Sequence, residues 1–391
     1  MSAEKINSSQ NIPSNQLTYS QNLHASFKKK FQSPSHKLQI TTADATQKEI
    51  DNFVFHPIKI KPIIINIFKI VAAIFFPLVI LVSTIAALAY CLFQRIGYNQ
   101  FIARFFGLPA LRKDKKELDT LRLHVLSTHD KVVVQEKTLQ ISDTVSLNGI
   151  EVKNRKATNK WLIYFNGNSG CYEANFESIK TMSTELNVNV VCFNYRGVGK
   201  SSGVCLNGES LEEDAKACIQ YLLDKDISAE DITCYGFSLG GAAAGSVLNK
   251  DTFSSEIIEK IRFINDRSFS TAKKASTSLI RIKPYSSLFR FLTKKNWNLK
   301  PYKNAKEIQG RLTIINSPHD AVIPLHSASY LVKAIDYAAK VIHIDFSPHI
   351  EKIKTDSIKG IWERFKAHGE AHYYDLPKEA LTQLNEFIHS V

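Results

Sequence analysis

The segment Gly236-Phe237-Ser238-Leu239-Gly240, followed by Gly241, constrains this chain more than any other feature. It follows the apolar run Ile232-Thr233-Cys234-Tyr235 and precedes a small-residue helical stretch, Ala242–Leu248. A G-x-S-x-G sequence at a strand-to-helix turn is the arrangement of a nucleophile elbow. The turn is tight enough to strain the serine backbone. Side chains two residues to either side would collide with neighbouring backbone, hence the glycines. The helix that follows aims its positive end and free N–H groups at the serine. The competing reading is a glycine-rich turn without catalysis.

The surroundings fit a sheet protein. After about Leu121, short β-rich runs alternate with helical patterns. The expected strands are 131–135, 144–152, 161–165, 188–194, 232–235, 261–264, 312–316 and 341–346. An Asn148-Gly149 turn signal falls in the second. Ser210 and Glu213 stand in capping-box spacing at the start of a helix expected over Ser210–Asp224. The later strands are continuous apolar runs, as in a parallel sheet covered on both faces, and the first two resemble an antiparallel entry hairpin. The fold class expected is α/β, a mostly parallel sheet with helices on both faces, over residues 121–391.

The first third reads differently. Residues 1–50 are rich in Ser, Asn, Gln, Thr and Lys without sustained periodicity, which predicts a disordered polar tail. Residues 63–95 contain an uncharged run from Ile70 to Phe93. A helix of that length spans about 36 Å, more than the roughly 30 Å hydrocarbon core of a bilayer. Pro77 divides the run, so it reads as a transmembrane helix or a re-entrant hairpin. Lys59, Lys61 and Lys69 precede it, whereas Arg95, Arg104, Arg112, Lys113, Lys115 and Lys116 follow it. That asymmetry predicts a cytoplasmic C-terminal part. Residues 96–120 form a basic connector.

The net charge of +13 is concentrated in this first third, beside the apolar run. An anionic membrane surface accounts for that placement better than nucleic acid does. Six cysteines in 391 residues, with no C-x-x-C pair, exclude a disulfide scaffold and favour a reducing compartment.

Three segments together resemble the α/β-hydrolase superfamily. Tyr164-Phe165-Asn166-Gly167-Asn168-Ser169-Gly170 is similar to its H-G-N-x-G oxyanion loop. Asn194-Tyr195-Arg196-Gly197-Val198-Gly199-Lys200-Ser201-Ser202-Gly203 is similar to its D-Y-R-G-x-G-x-S-x-G loop, and the third segment is the elbow at Ser238. More closely, the chain resembles the chlamydial 43-kDa (CHLPS) hydrolase-like family and the SidB-type secreted effectors of Legionella, which also carry a hydrophobic N-terminal region. Asn166 stands where the superfamily has a structural histidine.

The resemblance implies a triad in the order serine, acid, histidine. Asp320, in Ser317-Pro318-His319-Asp320-Ala321-Val322-Ile323-Pro324, matches the acid loop; Asp345 is the rival. Asp320 also reads as a turn former that bonds its own backbone. His326, His343, His349, His368, His372 and His389 follow it. His372, in Gly369-Glu370-Ala371-His372 before a closing helix over 377–388, matches the histidine loop best, with His349 and His368 competing. Leu239 and Asn168 would supply the oxyanion-hole N–H groups. Arg196 would brace its loop. Ala275–Asn298 reads as a small lid, a second membrane contact or an ordinary packed helix.

The implied activity is a serine hydrolase (esterase, lipase or thioesterase-like) acting on acyl ester, thioester or lipid substrates at a membrane, and the resemblance to secreted effectors implies delivery into a host cell. It needs no cofactor, metal or nucleic acid. The alternatives are a catalytically inactive scaffold binding a membrane or host partner, and a peptidase of the same superfamily.

Overall fold

The computed structural model describes residues 37–42, 115–279, 297–325, 328–345 and 375–390. Among these, the strands are β1 (Lys37–Thr42), β2 (Val132–Ser142), β3 (Val145–Asn154), β4 (Trp161–Phe165), β5 (Asn189–Phe193), β6 (Ile232–Phe237), β7 (Arg262–Asp266), β8 (Leu312–Asn316) and β9 (Lys340–Asp345). They form one sheet in the order β1-β9-β8-β7-β6-β4-β5-β3-β2. The run from β5 to β9 is parallel; β1 pairs antiparallel with β9, β3 antiparallel with β5, and β2 antiparallel with β3. The helices are α1 (Lys115–Val125), α2 (Tyr172–Glu185), α3 (Gly208–Leu223), α4 (Leu239–Val247), α5 (Ser255–Ile258), α6 (Ala272–Leu279), α7 (Leu331–Ala334) and α8 (Lys378–His389).

The strand alternation explains why the sheet is covered on both sides. In β4, Trp161, Ile163 and Phe165 join a core built with α3, α4 and α7, while Leu162 and Tyr164 join the opposite core with α2 and α8. In β5, Val191 and Phe193 face the first core, and Val190 and Cys192 the second. Every residue of β4, β5 and β8 is buried, so apolar residues must occupy both faces of each strand.

Three local expectations change. Asn148-Gly149 makes no turn; the reversal lies between Ser142 and Val145, and both residues sit inside β3. A Cβ on Gly149 would lie 2.4 Å from the carbonyl oxygen of Cys192, so the glycine permits close approach of β3 to β5. The cap of α3 is Asn207, whose Oδ1 accepts from the Ser210 N–H at 2.9 Å. Glu213 is instead drawn to Arg196, 2.9 Å away. Finally, residues 37–42, within the expected tail, form β1. The period-two sequence Leu38-Gln39-Ile40-Thr41 pairs antiparallel with β9, which satisfies backbone groups that a solvated tail leaves to water.

Helix α1 fixes where the basic connector meets the domain. Its Arg122 is buried and donates to Tyr172 Oη at 3.0 Å and to Glu173 at 2.8 Å, the first two residues of α2. Further on, His124 lies 3.2 Å from Glu177. Helix α1 therefore runs alongside α2, and its N-terminus lies toward the carboxyl edge of the sheet, where α2 begins. The expected membrane segment, residues 63–95, lies outside the described residues; among these, no helix is long and apolar enough to cross a membrane.

Candidate active site

Ser238 lies between β6 and α4 with φ 52° and ψ −115°. Few non-glycine residues adopt this conformation, which stores strain at the turn. The surroundings enforce it. The Ser238 N–H donates to the Asp266 carbonyl at 2.8 Å, and the Gly241 N–H donates to the Ser238 carbonyl at 3.1 Å. A Cβ on Gly236 would meet Gly241 Cα at 2.4 Å, and one on Gly240 would meet the Phe165 carbonyl oxygen at 2.1 Å. The two glycines thus have the steric reason expected from the sequence.

Leu239 opens α4, so its N–H is among those without a partner inside the helix. The loop after β4 turns back on itself, with the Gly170 N–H donating to the Gly167 carbonyl at 3.0 Å and Ser169 at φ 67°. Asn168 is exposed on this loop. Because β4 and β6 are paired with Phe165 opposite Gly236, the loop and the elbow rise from adjacent strand ends.

Asn166 is fully buried and braces that loop through its amide. Its Nδ2 donates to Cys192 Sγ at 3.2 Å, and its Oδ1 accepts from Asn175 Nδ2 at 2.8 Å. Its carbonyl accepts from Tyr195 Oη at 3.0 Å. Arg196 is also structural: its Nε donates to Asp214 at 2.7 Å, and its N–H donates to the other Asp214 oxygen at 2.9 Å.

Asp320 is buried in the loop after β8. Its Oδ1 accepts from the N–H groups of Val322 and Ile323, both at 2.8 Å. The carboxylate is thereby held in an Asx-type turn while Oδ2 is left out of these two bonds. Asp345 ends β9 in register with Lys37. Of the histidines, His343 is buried within β9 with Nδ1 on Asn316 Oδ1 at 2.8 Å, and burial pushes its pKa down to about 4. His389 sits at the far end of α8 against the Leu186 carbonyl. His326, His349, His368 and His372 lie outside the described residues, as does most of Ala275–Asn298. The described chain resumes at Asp375, which accepts from Ser178 Oγ on α2 at 2.8 Å.

One cluster at the site escaped the sequence reading. Asp266, at the end of β7, accepts from Tyr235 Oη and from Arg267 Nε (2.7 Å) and Nη2 (3.0 Å). Asp266 and Arg267 are buried, and the guanidinium lies over the Phe237 ring at 5.0 Å. The signal was the polar run Asn265-Asp266-Arg267-Ser268 ending a buried strand. The described cysteines are all buried and uncrosslinked, and burial raises the thiol pKa of Cys192, Cys205, Cys218 and Cys234, which makes them poor nucleophiles. Among the described residues no His, Cys, Asp and Glu group is arranged to hold a metal ion. A shallow groove lined by Trp161, Asn189 and Asp231 opens at the amino edge of the strands, opposite Ser238.

The chain is similar to several known proteins. Protein bem46 of Schizosaccharomyces pombe is 35% identical over 101 residues, which is 25% of this chain and 33% of bem46. Protein R595 of Acanthamoeba polyphaga mimivirus is 25% identical over 207 residues, 50% of this chain and 68% of R595. The match thus spans only a third of the length of bem46. Among solved structures, an alpha-beta hydrolase from Vibrio vulnificus is 20% identical, with a TM-score of 0.46 over 56% of this chain and 75% of that one. The carboxylesterase EstE1 from a metagenomic library is 14% identical, with a TM-score of 0.42 over 72% and 99%. The model of the Chlamydia CHLPS protein family (DUF818) matches residues 29–352. With the strand order, the elbow and that match in hand, the chain is an α/β-hydrolase-fold protein that belongs to the Chlamydia CHLPS (DUF818) family.

Proposed function

We propose that this protein is a membrane-associated serine hydrolase that cleaves acyl ester, thioester or lipid bonds, with Ser238 as nucleophile, Asp320 as acid and His372 as base. The observation that carries the reading is the Ser238 backbone, φ 52° at a strand-to-helix turn whose flanking glycines have no room for a Cβ. Strain of this kind persists where function selects it.

The chemistry follows from the roles. His372 takes the Ser238 hydroxyl proton as Oγ attacks the acyl carbon. The N–H groups of Leu239 and Asn168 stabilise the oxyanion that forms. The imidazolium then protonates the departing alkoxide or thiolate, leaving an acyl-serine. A water molecule, deprotonated by the same imidazole, attacks the acyl carbon; the carboxylic acid leaves and Ser238 regains its proton. Asp320 accepts the imidazole N–H and stabilises the imidazolium. Asp266 is a poorer acid for this role, because its carboxylate already serves Tyr235 and Arg267.

Membrane association is supported by the apolar run within residues 63–95 and its basic flank. The orientation of α1 adds to this: the connector joins the domain toward the sheet edge that carries Ser238. The charge asymmetry supports a cytoplasmic face for the domain, and the family resemblance supports extending the reading to an effector delivered into a host cell.

Fluorophosphonate labelling of the full chain in detergent tests the reading, with wild type beside Ser238→Ala and His372→Ala. Labelling that disappears in both folded variants is the expected result. A folded wild type that does not label sinks the hydrolase reading and favours a non-catalytic scaffold. Labelling that survives His372→Ala moves the base to His349 or His368.

A further inference from the structure

Strand β1 precedes the apolar run in sequence and the rest of the domain follows it, yet both belong to one sheet. Residues 37–42 pair antiparallel with β9 in an unbroken register, from Lys37 opposite Asp345 to Thr42 opposite Lys340. On its other side β9 pairs with β8 in the parallel run. Among the described strands β1 is outermost, so it covers backbone groups of β9 that would otherwise form the open edge. The partner strand is fixed in the domain: Val341, Ile342, His343 and Ile344 are all buried.

This pairing limits how the intervening chain can meet a bilayer. Two hydrogen-bonded strands lie on the same side of a membrane, so the chain leaves Thr42 and returns at Lys115 on one face. The stretch between them crosses the bilayer an even number of times or not at all. Residues 43–62 are unfit to supply a second crossing, because they carry Asp44, Lys48, Glu49, Asp51, Lys59 and Lys61. Residues 94–114 are equally unfit, with Arg95, Arg104, Arg112, Lys113 and Asp114. Residues 63–93 alone are left to make the contact.

Their dimensions agree. Pro77 divides them into residues 63–76 and 78–93. As helices these arms measure about 21 and 24 Å, each short of the roughly 30 Å hydrocarbon core. Proline at the reversal removes an N–H that would lack a partner there. Lys69, about 9 Å along the first arm, can extend its side chain back to the head groups. Lys59 and Lys61 before the run, and Arg95 and Arg104 after it, put positive charge on both flanks, as suits two ends at one anionic surface. The link from Thr42 to residue 63 is long enough to return from the β1 edge. Extended, it reaches up to about 70 Å, against a width of roughly 40 Å for a nine-stranded sheet.

We propose that the apolar run is a re-entrant hairpin with its tip at Pro77, held closed from below by the β1–β9 pairing, so that the protein enters the bilayer from one face without crossing it. The inference rests on the membrane-association reading.

The test places single cysteines in the full-length chain at Ser33, before β1, and at Asp143, on the exposed turn between β2 and β3. Cys91, in the apolar run, is replaced by alanine; the five described cysteines are buried. Cells expressing each variant are treated with a membrane-impermeant maleimide before and after permeabilisation, and labelling is read in the membrane fraction that resists alkaline carbonate. The expected result is that both sites are protected in intact cells and both label after permeabilisation. A third variant, Thr42→Cys/Lys340→Cys, puts thiols at opposite positions of the ladder, where Cα separations suit a disulfide. It should form an intrachain disulfide on oxidation of the same membranes, seen as a reductant-sensitive gel shift. Labelling of one site but not the other in intact cells shows a spanning segment; this overturns the inference and leaves membrane association standing. A carbonate-resistant chain that forms no intrachain disulfide also overturns it. Release of the whole protein by carbonate overturns the membrane reading and the inference together.

Discussion

A Cβ on Gly240 would sit 2.1 Å from the carbonyl oxygen of Phe165, the last residue of β4. The obstacle is backbone in the middle of the sheet, and β4 is pinned between β5 and β6. It cannot yield by a rotamer change. Gly240→Ala should therefore abolish fluorophosphonate labelling and destabilise the fold by more than about 3 kcal/mol. Gly310 is the control: it has open space around it, and although its φ of +78° strains any side chain, alanine there should leave labelling intact. Labelling of Gly240→Ala at the wild-type rate would show that the elbow is not as tight as described.

Ser238 itself holds a conformation that costs about 1–3 kcal/mol for a residue with a side chain. Glycine reaches the same φ and ψ without that cost, offset in part by its greater freedom in the unfolded chain. Ser238→Gly should lose labelling while gaining stability of about 1 kcal/mol in chemical denaturation. Ser238→Ala should lose labelling with little gain, because its Cβ keeps the strain. Equal stabilities for the two variants would separate the serine from any stored strain.

The parallel strands were legible because each is an apolar run with a turn signal at its end; their order in the sheet, and β1 within the polar tail, were not. The elbow was legible because its steric needs dictate glycine at two fixed positions. The Asp266–Arg267 pair was not, since ionic residues at a strand end ordinarily mark the beginning of a solvated loop. Here the chain stays inside: Asp266 and Arg267 are both buried, and residues 328–330 return beside residues 268–270, with the Tyr330 N–H donating to the Ser268 carbonyl at 2.9 Å. The Asn148-Gly149 pair misled for the opposite reason. Its local preference is a turn, but Asn148 is tied to Glu136 and Tyr172 by side-chain hydrogen bonds, and tertiary contact prevailed.

Arg196 and Asp214 form an ion pair that is almost wholly buried, with Nη2 2.6 Å from the carboxylate. Removing one partner strands the other charge away from water. Arg196→Ala should cost about 3–5 kcal/mol and loosen the loop that follows β5. Replacing both residues with apolar ones of similar volume should recover much of that loss. Urea midpoints for the single and double variants check this, and an Arg196→Ala protein as stable as wild type would refute it.

His343 gives the stability a defined acid dependence. Its imidazole is buried between strands, Nδ1 is committed to Asn316, and burial lowers its pKa from 6.5 to about 4. The unfolded chain therefore binds a proton at this residue before the folded protein does. The contribution is fully present above pH 6.5 and drains away as the pH falls toward 4, by roughly 3 kcal/mol in total. His343→Gln keeps an amide donor for Asn316 but cannot titrate. It should start less stable at pH 7.5 and lose less on acidification, so the two stability curves converge toward pH 4. Parallel curves for wild type and His343→Gln between pH 7.5 and 4 would show that some other group sets the acid response.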